Sequence, residues 1–158
     1  MTIRKYTPQD IGQMRAIWNE VVTQGNAFPQ KDTLENDSAE FFASQSYCGV
    51  AEEDGKISGM YILHPNNVGR CGHICNASYA VSSNARGKGI GKQLVTDCIA
   101  QAKQLGFRIL QFNAVVASNS AAVKLYEKLG FERIGIVKGG FHNAENVFED
   151  IILFCYYL

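Results

Sequence analysis

Residues 86–91, Arg-Gly-Lys-Gly-Ile-Gly, join an extended run ending at Val81 to an amphipathic run whose apolar positions are Ile90, Leu94, Val95, Cys98, Ile99 and Ala102. A chain with three glycines at that junction turns from strand to helix within a few residues, and consecutive backbone N–H groups then gather at a helix start. Such a turn suits an anion. The helix end carries positive partial charge, and where β-carbons are missing a phosphate can approach the backbone. Arg86 and Lys88 add cations at the rim. The spacing is neither that of the loop ending in Gly-Lys-Ser/Thr nor that of the six-residue dinucleotide fingerprint. The plain alternative is a solvated turn before an ordinary helix.

Around this turn the pattern reads β-α-α-β-β-β-α-β-α-β-β. Ile3 to Tyr6 forms an edge strand, and Ile11, Met14, Ile17, Trp18 and Val21 mark a first helix. A second helix is expected over 33–44. Runs 47–51 and 56–63 form a hairpin across Asp54-Gly55, and 72–81 is extended. After the helix over 89–105 come a strand over 107–116, a cap at 118–120 and a helix over 121–129. Strands over 131–137 and 147–157 close the chain, with Lys-Gly-Gly-Phe-His-Asn between them. The order does not alternate strictly, so the expected fold is a mixed α/β domain over 1–158: one mixed, largely antiparallel sheet with helices on both faces.

Composition narrows the partners. Lys and Arg total 15 against 15 Asp and Glu, which argues against a duplex nucleic acid as partner. The apolar stretch Ile151 to Leu158 is too short to span a membrane and reads as a strand, which as an edge would favour a homodimer. No signal segment is legible at the N-terminus, and five cysteines fit a reducing compartment, so a cytoplasmic location is expected.

Several residues carry candidate chemistry. Asn76 and Asn113 fall in strands, where a buried carboxamide needs a partner, either a substrate group or backbone at a local widening of the sheet. Tyr126 lies on the short helix among Val123, Leu125 and Leu129, and its phenol suits either core packing or protonation of a leaving group. Phe28 in the loop after the first helix suits either packing or an apolar pocket wall, and Trp18, on that helix's apolar side, suits packing first and a wall second. Glu52, Glu53 and Glu145 are general-base candidates on composition alone, and none is assigned. Cys71, His73 and Cys75 alternate as if on one strand face, with His64 a loop away, but their spacing is poor for a metal and no metal is expected.

The glycine turn resembles the acyl-coenzyme-A pyrophosphate motif of the GCN5-related N-acetyltransferase superfamily, Arg/Gln-x-x-Gly-x-Gly/Ala, at Arg86, Gly89 and Gly91. Asn119-x-x-Ala122-x-x-Leu125-Tyr126-x-x-Leu129-Gly130-Phe131 is similar to the family's second coenzyme-A segment. The resemblance implies acetyl-CoA as cofactor, its pyrophosphate on Arg86, Gly87, Lys88, Gly89, Ile90 and Gly91. It implies the pantetheine arm along Tyr79, Ala80 and Val81, with Asn119 beside that arm and Tyr126 near the sulfur. Cys75-Asn76-Ala77, Phe112-Asn113 and Asn119 resemble more narrowly the fungal enzymes that N-acetylate azetidine-2-carboxylate and related proline analogues. That resemblance gives Asn76, Asn113 and Asn119 roles in binding or orienting an imino acid, with Phe28 in the loop over the acceptor.

The function implied is transfer of acetyl to the amine of a small amino or imino acid by direct attack in a ternary complex, with Tyr126 as acid. Another small amine such as an antibiotic or herbicide, a protein N-terminus, or a silent acyl-coenzyme-A sensor are the alternatives. Cys75 as an acyl carrier is disfavoured, since no histidine-acid pair is legible beside it.

Overall fold

The computed structural model describes residues 1–36 and 38–158. In chain order they form β1 (Thr2–Lys5), α1 (Ile11–Gln24), α2 (Ala39–Ala43), β2 (Tyr47–Glu53), β3 (Lys56–Pro65), β4 (Ile74–Val81), α3 (Ile90–Gln104), β5 (Ile109–Val116), α4 (Ser120–Lys128), β6 (Glu132–His142) and β7 (Phe148–Tyr157). The strands make one sheet in the order β1-β2-β3-β4-β5-β7-β6. All neighbours run antiparallel except β4 and β5. The sheet and its two helical layers agree with the fold expected from sequence.

The apolar stripes explain the layers. Met14, Ile17, Trp18, Val21 and Val22 of α1 are buried against Val50, Met60 and Ile62 on one face. Ile90, Leu94, Val95, Cys98 and Ala102 of α3 pack with Tyr61, Leu63, Ala77 and Leu110 on the other. Strand alternation makes this possible, since Met60 and Ile62 face α1 while Tyr61 and Leu63 face α3. The turn after β2 has Asp54 at φ 52° and Gly55 at φ 78°, the left-handed pair that a two-residue hairpin needs.

Four expectations are corrected. The second helix shrinks to Ala39–Ala43, because Asn19 of α1 takes both backbone groups of Leu34 (Nδ2 to O 2.9 Å; N to Oδ1 2.7 Å) and fixes that segment outside a helix. Asp37, within the expected span, lies outside the described residues. Lys138 to His142 is no loop but the end of β6, where a β-carbon on Gly140 would meet Ile151 at 2.6 Å, so glycine there serves close packing. Cys71 sits in a 3-10 turn and β4 begins only at Ile74, so Cys71, His73 and Cys75 do not share one strand face. The Ile151–Leu158 run supplies most of β7, which is internal between β5 and β6 as a buried strand should be and is not an edge; the edges are β1, as expected, and β6. Glu132 to Gly140 is exposed throughout, with Ile134, Ile136 and Val137 among the exposed apolar side chains.

Candidate active site

The sheet is interrupted at one place. β4 pairs with β3 over seven residue pairs, from Pro65 opposite Cys75 to Gly59 opposite Val81. With β5 it pairs only at Ile74 with Ile109 and at Cys75 with Leu110, after which the strands part. Asn76 stands where the gap opens, its Nδ2 donating to the Gln111 carbonyl across it at 2.8 Å. One carboxamide N–H and Oδ1 remain for a ligand. Backbone at a local widening is thus the partner of Asn76, as one of its two sequence readings allowed.

β5 carries a bulge between Phe112 and Val115 where its pairing with β7 shifts. Asn113 lies in it, exposed rather than buried as its place in a strand suggested. Its carboxamide pairs reciprocally with Asn66 (Asn113 Nδ2 to Asn66 Oδ1 2.6 Å; Asn66 Nδ2 to Asn113 Oδ1 3.2 Å), and Gln111 Nε2 also donates to Asn113 Oδ1 at 3.1 Å. Asn119 caps α4, its Oδ1 accepting from the Ala122 N–H at 3.3 Å. Each of the three asparagines therefore has a local structural partner, and all three line one cleft of about 410 Å³.

That cleft reaches from the gap toward the loop after α1. Phe28, Gln30, Gln45, His64, Tyr79 and Tyr126 are among its walls. Phe28 is buried and its ring centroid lies 4.5 Å from that of Trp18, which is itself core beneath Phe28 and Phe41 and not a wall. The Tyr126 ring packs 4.6 Å from Phe112 and 5.5 Å from Phe131, centroid to centroid. Packing and chemistry are not alternatives here, since the ring is held by neighbours while its hydroxyl takes no protein partner among the described residues. Burial pushes the Tyr126 phenol well up, so it remains a proton donor at neutral pH. The Tyr79 hydroxyl, likewise raised by burial, lies beside the Cys98 thiol with no oxygen or nitrogen partner.

The glycine turn has the predicted strand-to-helix geometry. Gly87 and Gly89 have φ of 76° and 77°, where L side chains are strained, and a β-carbon on either would stand in open space. Gly91 has only Leu125 nearby, at 3.8 Å. Among the described residues the N–H groups of residues 88–92 find no acceptor, so a ready anion cradle opens at the start of α3. Ile90 anchors the turn by burying its side chain. Arg86 is already engaged, its Nη2 donating to Gln24 Oε1 at 2.7 Å and its Nε to the Val81 carbonyl at 3.4 Å. Lys88 lines a separate hollow with Met1, Glu53 and Lys56. Ala80 is buried in the α1 layer, so its backbone alone faces the gap strand, while Val81 is half-buried.

The glutamates are elsewhere. Glu52 accepts from the Gly55 N–H at 2.6 Å and faces Arg4, Glu53 holds the N-terminal amine at 3.2 Å, and Glu145 is exposed in the β6–β7 turn. Cys75 is fully buried, donates to the Ile109 carbonyl at 3.2 Å, and its thiol is pushed up to about 12 by burial, which unsuits it to nucleophilic attack. Gln30, Gln45, Asn66 and His64 are site residues that sequence reasoning missed. The sequence pattern ends the strand at Leu63 and puts 64–69 in a loop, whereas β3 continues through His64 to Pro65 and so sets His64 opposite Asn76.

A model of the acetyltransferase (GNAT) family matches residues 13–131, which include the gap, the glycine turn and α4. The chain belongs to this family. Among GNAT relatives, the N-acetyltransferase aca1 of Schizosaccharomyces pombe is 42% identical over 91 residues, 56% of this chain and 44% of that protein. The chain thus spans less than half the length of that relative. A solved GCN5-related N-acetyltransferase from Kribbella flavida is 32% identical with a TM-score of 0.92, covering 99% of this chain and 97% of that one. The GNAT phosphinothricin acetyltransferase from Sinorhizobium meliloti, solved in complex with AcCoA, matches in fold with a TM-score of 0.91 over 99% of this chain and 88% of that one, at 23% identity.

Proposed function

We propose that this chain is an acetyl-CoA-dependent N-acetyltransferase acting on the amine of a small amino or imino acid, by direct attack in a ternary complex. The observation that carries the reading is the gap between β4 and β5, which joins a free N–H cradle at one end to a carboxamide-lined cleft at the other. The residues present fit acetyl-CoA. The N–H groups of the 86–91 turn would hold its pyrophosphate, the unpaired edge of β4 at Tyr79, Ala80 and Val81 its pantetheine, and Asn119 and Tyr126 the end toward the sulfur. When bound, acetyl-CoA supplies an acetyl group activated as a thioester.

The chain's own contributions follow from their places. Two sites meeting at a gap hold both reactants together, and positioning of that kind removes much of the barrier. Tyr126, protonated and without a protein hydrogen-bond partner among the described residues, would donate its proton to the leaving group. Burial withholds Cys75 from acyl transfer, which supports direct attack.

The acceptor cleft has no Lys or Arg among its described walls. A carboxylate there would be held by neutral donors, the remaining N–H of Asn76 with the Gln30 and Gln45 carboxamides, while Phe28 supplies an apolar wall. That combination favours a compact acid such as a proline analogue. A neighbouring cleft of about 620 Å³ shares Phe28, Pro29 and Gln30 and adds Lys31 and His142, leaving room for a longer acceptor. We further propose a homodimer through the exposed β6 edge, and a cytoplasmic location supported by five free thiols.

Acetyl-CoA turnover against cyclic imino acids, amino acids, antibiotic amines and short peptides tests the reading. Preference for cyclic imino acids is expected. Preference for amines lacking a carboxylate would overturn the role of Asn76, and cofactor binding without turnover on any amine would make the chain an acyl-coenzyme-A sensor.

A further inference from the structure

An amino acid reaches this cleft largely as an ammonium, which has no lone pair, so the reading above requires a group that takes a proton from it. Carboxylates, the usual choice, are absent from the described walls of the cleft, as are Lys and Arg. The titratable side chains there are Tyr79, Tyr126 and His64. Both phenols are raised by burial and stay protonated, so neither accepts a proton near neutrality. The imidazole is left.

We propose that His64 is the catalytic base that deprotonates the acceptor amine, an assignment that rests on the acetyltransferase reading. Its Nδ1 lies 2.9 Å from the Pro65 carbonyl oxygen, which can only accept. Nδ1 therefore carries the hydrogen of the neutral ring and Nε2 holds the lone pair. His64 stands directly opposite Asn76 in the β3–β4 register, and both side chains line the cleft. Opposed residues on one face of an antiparallel pair have β-carbons about 5 Å apart. With a carboxylate on Asn76, the amine of an α-amino or α-imino acid, one carbon away, comes within reach of the neighbouring ring.

The proton count closes. An N–H bond of the ammonium breaks, its electron pair stays on nitrogen, and an Nε2–H bond forms, leaving the positive charge on the imidazolium. His64 is half-buried, so the ring returns that proton to water. A second proton leaves the same nitrogen as the amide forms and balances the one donated by Tyr126.

His64→Asn keeps a donor for the Pro65 carbonyl and removes Nε2. With an acceptor that is an ammonium at the assay pH, kcat/KM should fall by about 100- to 1,000-fold, within the usual range for general-base catalysis. With hydroxylamine or methoxyamine, neutral at the same pH, the loss should be under about 5-fold, because no proton has to be removed before attack. Equal losses for the two acceptors, or no loss, would overturn the assignment. Independently of turnover, ¹⁵N spectra of the wild-type imidazole above pH 8 should show the Nδ1–H tautomer, and a predominantly Nε2–H ring would overturn it. If the wild type acetylates no amine at all, the functional reading fails and the base assignment falls with it, whereas turnover by a wild type whose ring is predominantly Nε2–H overturns the assignment alone.

Discussion

The two edges of β4 were built for different purposes. Toward β3 it is zipped over seven pairs, and the half of the sheet beyond, with α1 across it, is closed by ordinary packing. Toward β5 it is paired at two positions and then open, and Asn76, Asn119 and Tyr126 line the cleft at the opening. The difference teaches where to look for chemistry in this chain. A paired edge spends its N–H and C=O groups on the neighbouring strand, whereas an open edge leaves them for a ligand.

If that division is right, changes at the gap cost turnover and changes in the closed half cost stability. Tyr126→Phe should give the largest separation, lowering kcat by about 100-fold or more while the melting temperature stays nearly constant, because the ring and its packing are kept. A kcat within a few-fold of wild type would return Tyr126 to the core.

Gly49→Ala makes the converse case. A β-carbon there would lie 2.2 Å from the Tyr61 ring, and Tyr61 cannot yield because it is fully buried with its hydroxyl donating to Asp97 at 2.6 Å. Overpacking should cost about 2–3 kcal/mol in denaturant melts with KM for both substrates unchanged.

Asn76→Ala touches both halves. Loss of its bond leaves the Gln111 carbonyl without that donor, expected to cost about 1–2 kcal/mol of stability, and the acceptor KM should rise as well. A change in stability without a change in KM would make Asn76 only a strut across the gap.

Asp10→Asn should be the mildest. Asp10 is buried and accepts from Arg4 (2.8 and 3.0 Å) and from the Thr7 N–H (2.7 Å), chiefly the Arg4 bonds holding its carboxyl below the usual carboxylate range. Arg4 is about a third exposed, so solvent screening limits the expected loss to about 1 kcal/mol at neutral pH. A lowered folded-state value means that the stabilisation is complete above the ordinary aspartate range and is lost as pH falls through the folded-state value. The gap between wild-type and variant melts should therefore narrow on acidification. A gap that widened would show that another group dominates.

Much of this was legible in the residues. The apolar stripes of α1 and α3, the Asp54-Gly55 turn and the Arg86 to Gly91 segment each state a local requirement, and the structure met each where expected. The three asparagines were also found, and the helix cap at Asn119 with them, but not which distant groups Asn76 and Asn113 bond to. Asn76 reaches a backbone group 35 residues away and Asn113 a side chain 47 residues away, and no local rule contains such a pairing. A shorter separation, 15 residues, was enough to hide the early loop, where Asn19 rather than helical bonding satisfies Leu34.

By itself, then, the sequence determined the order of elements, the helix faces that must be buried and a glycine turn able to take an anion, because these depend on side-chain periodicity and on residues close along the chain. Tertiary structure decided that β4 parts from β5 after two pairs, that β6 and not β7 forms the edge opposite β1, and that His64 stands across from Asn76. Those are matters of strand register and neighbour choice, fixed by contacts between segments far apart in sequence, and no short stretch of residues encodes them alone.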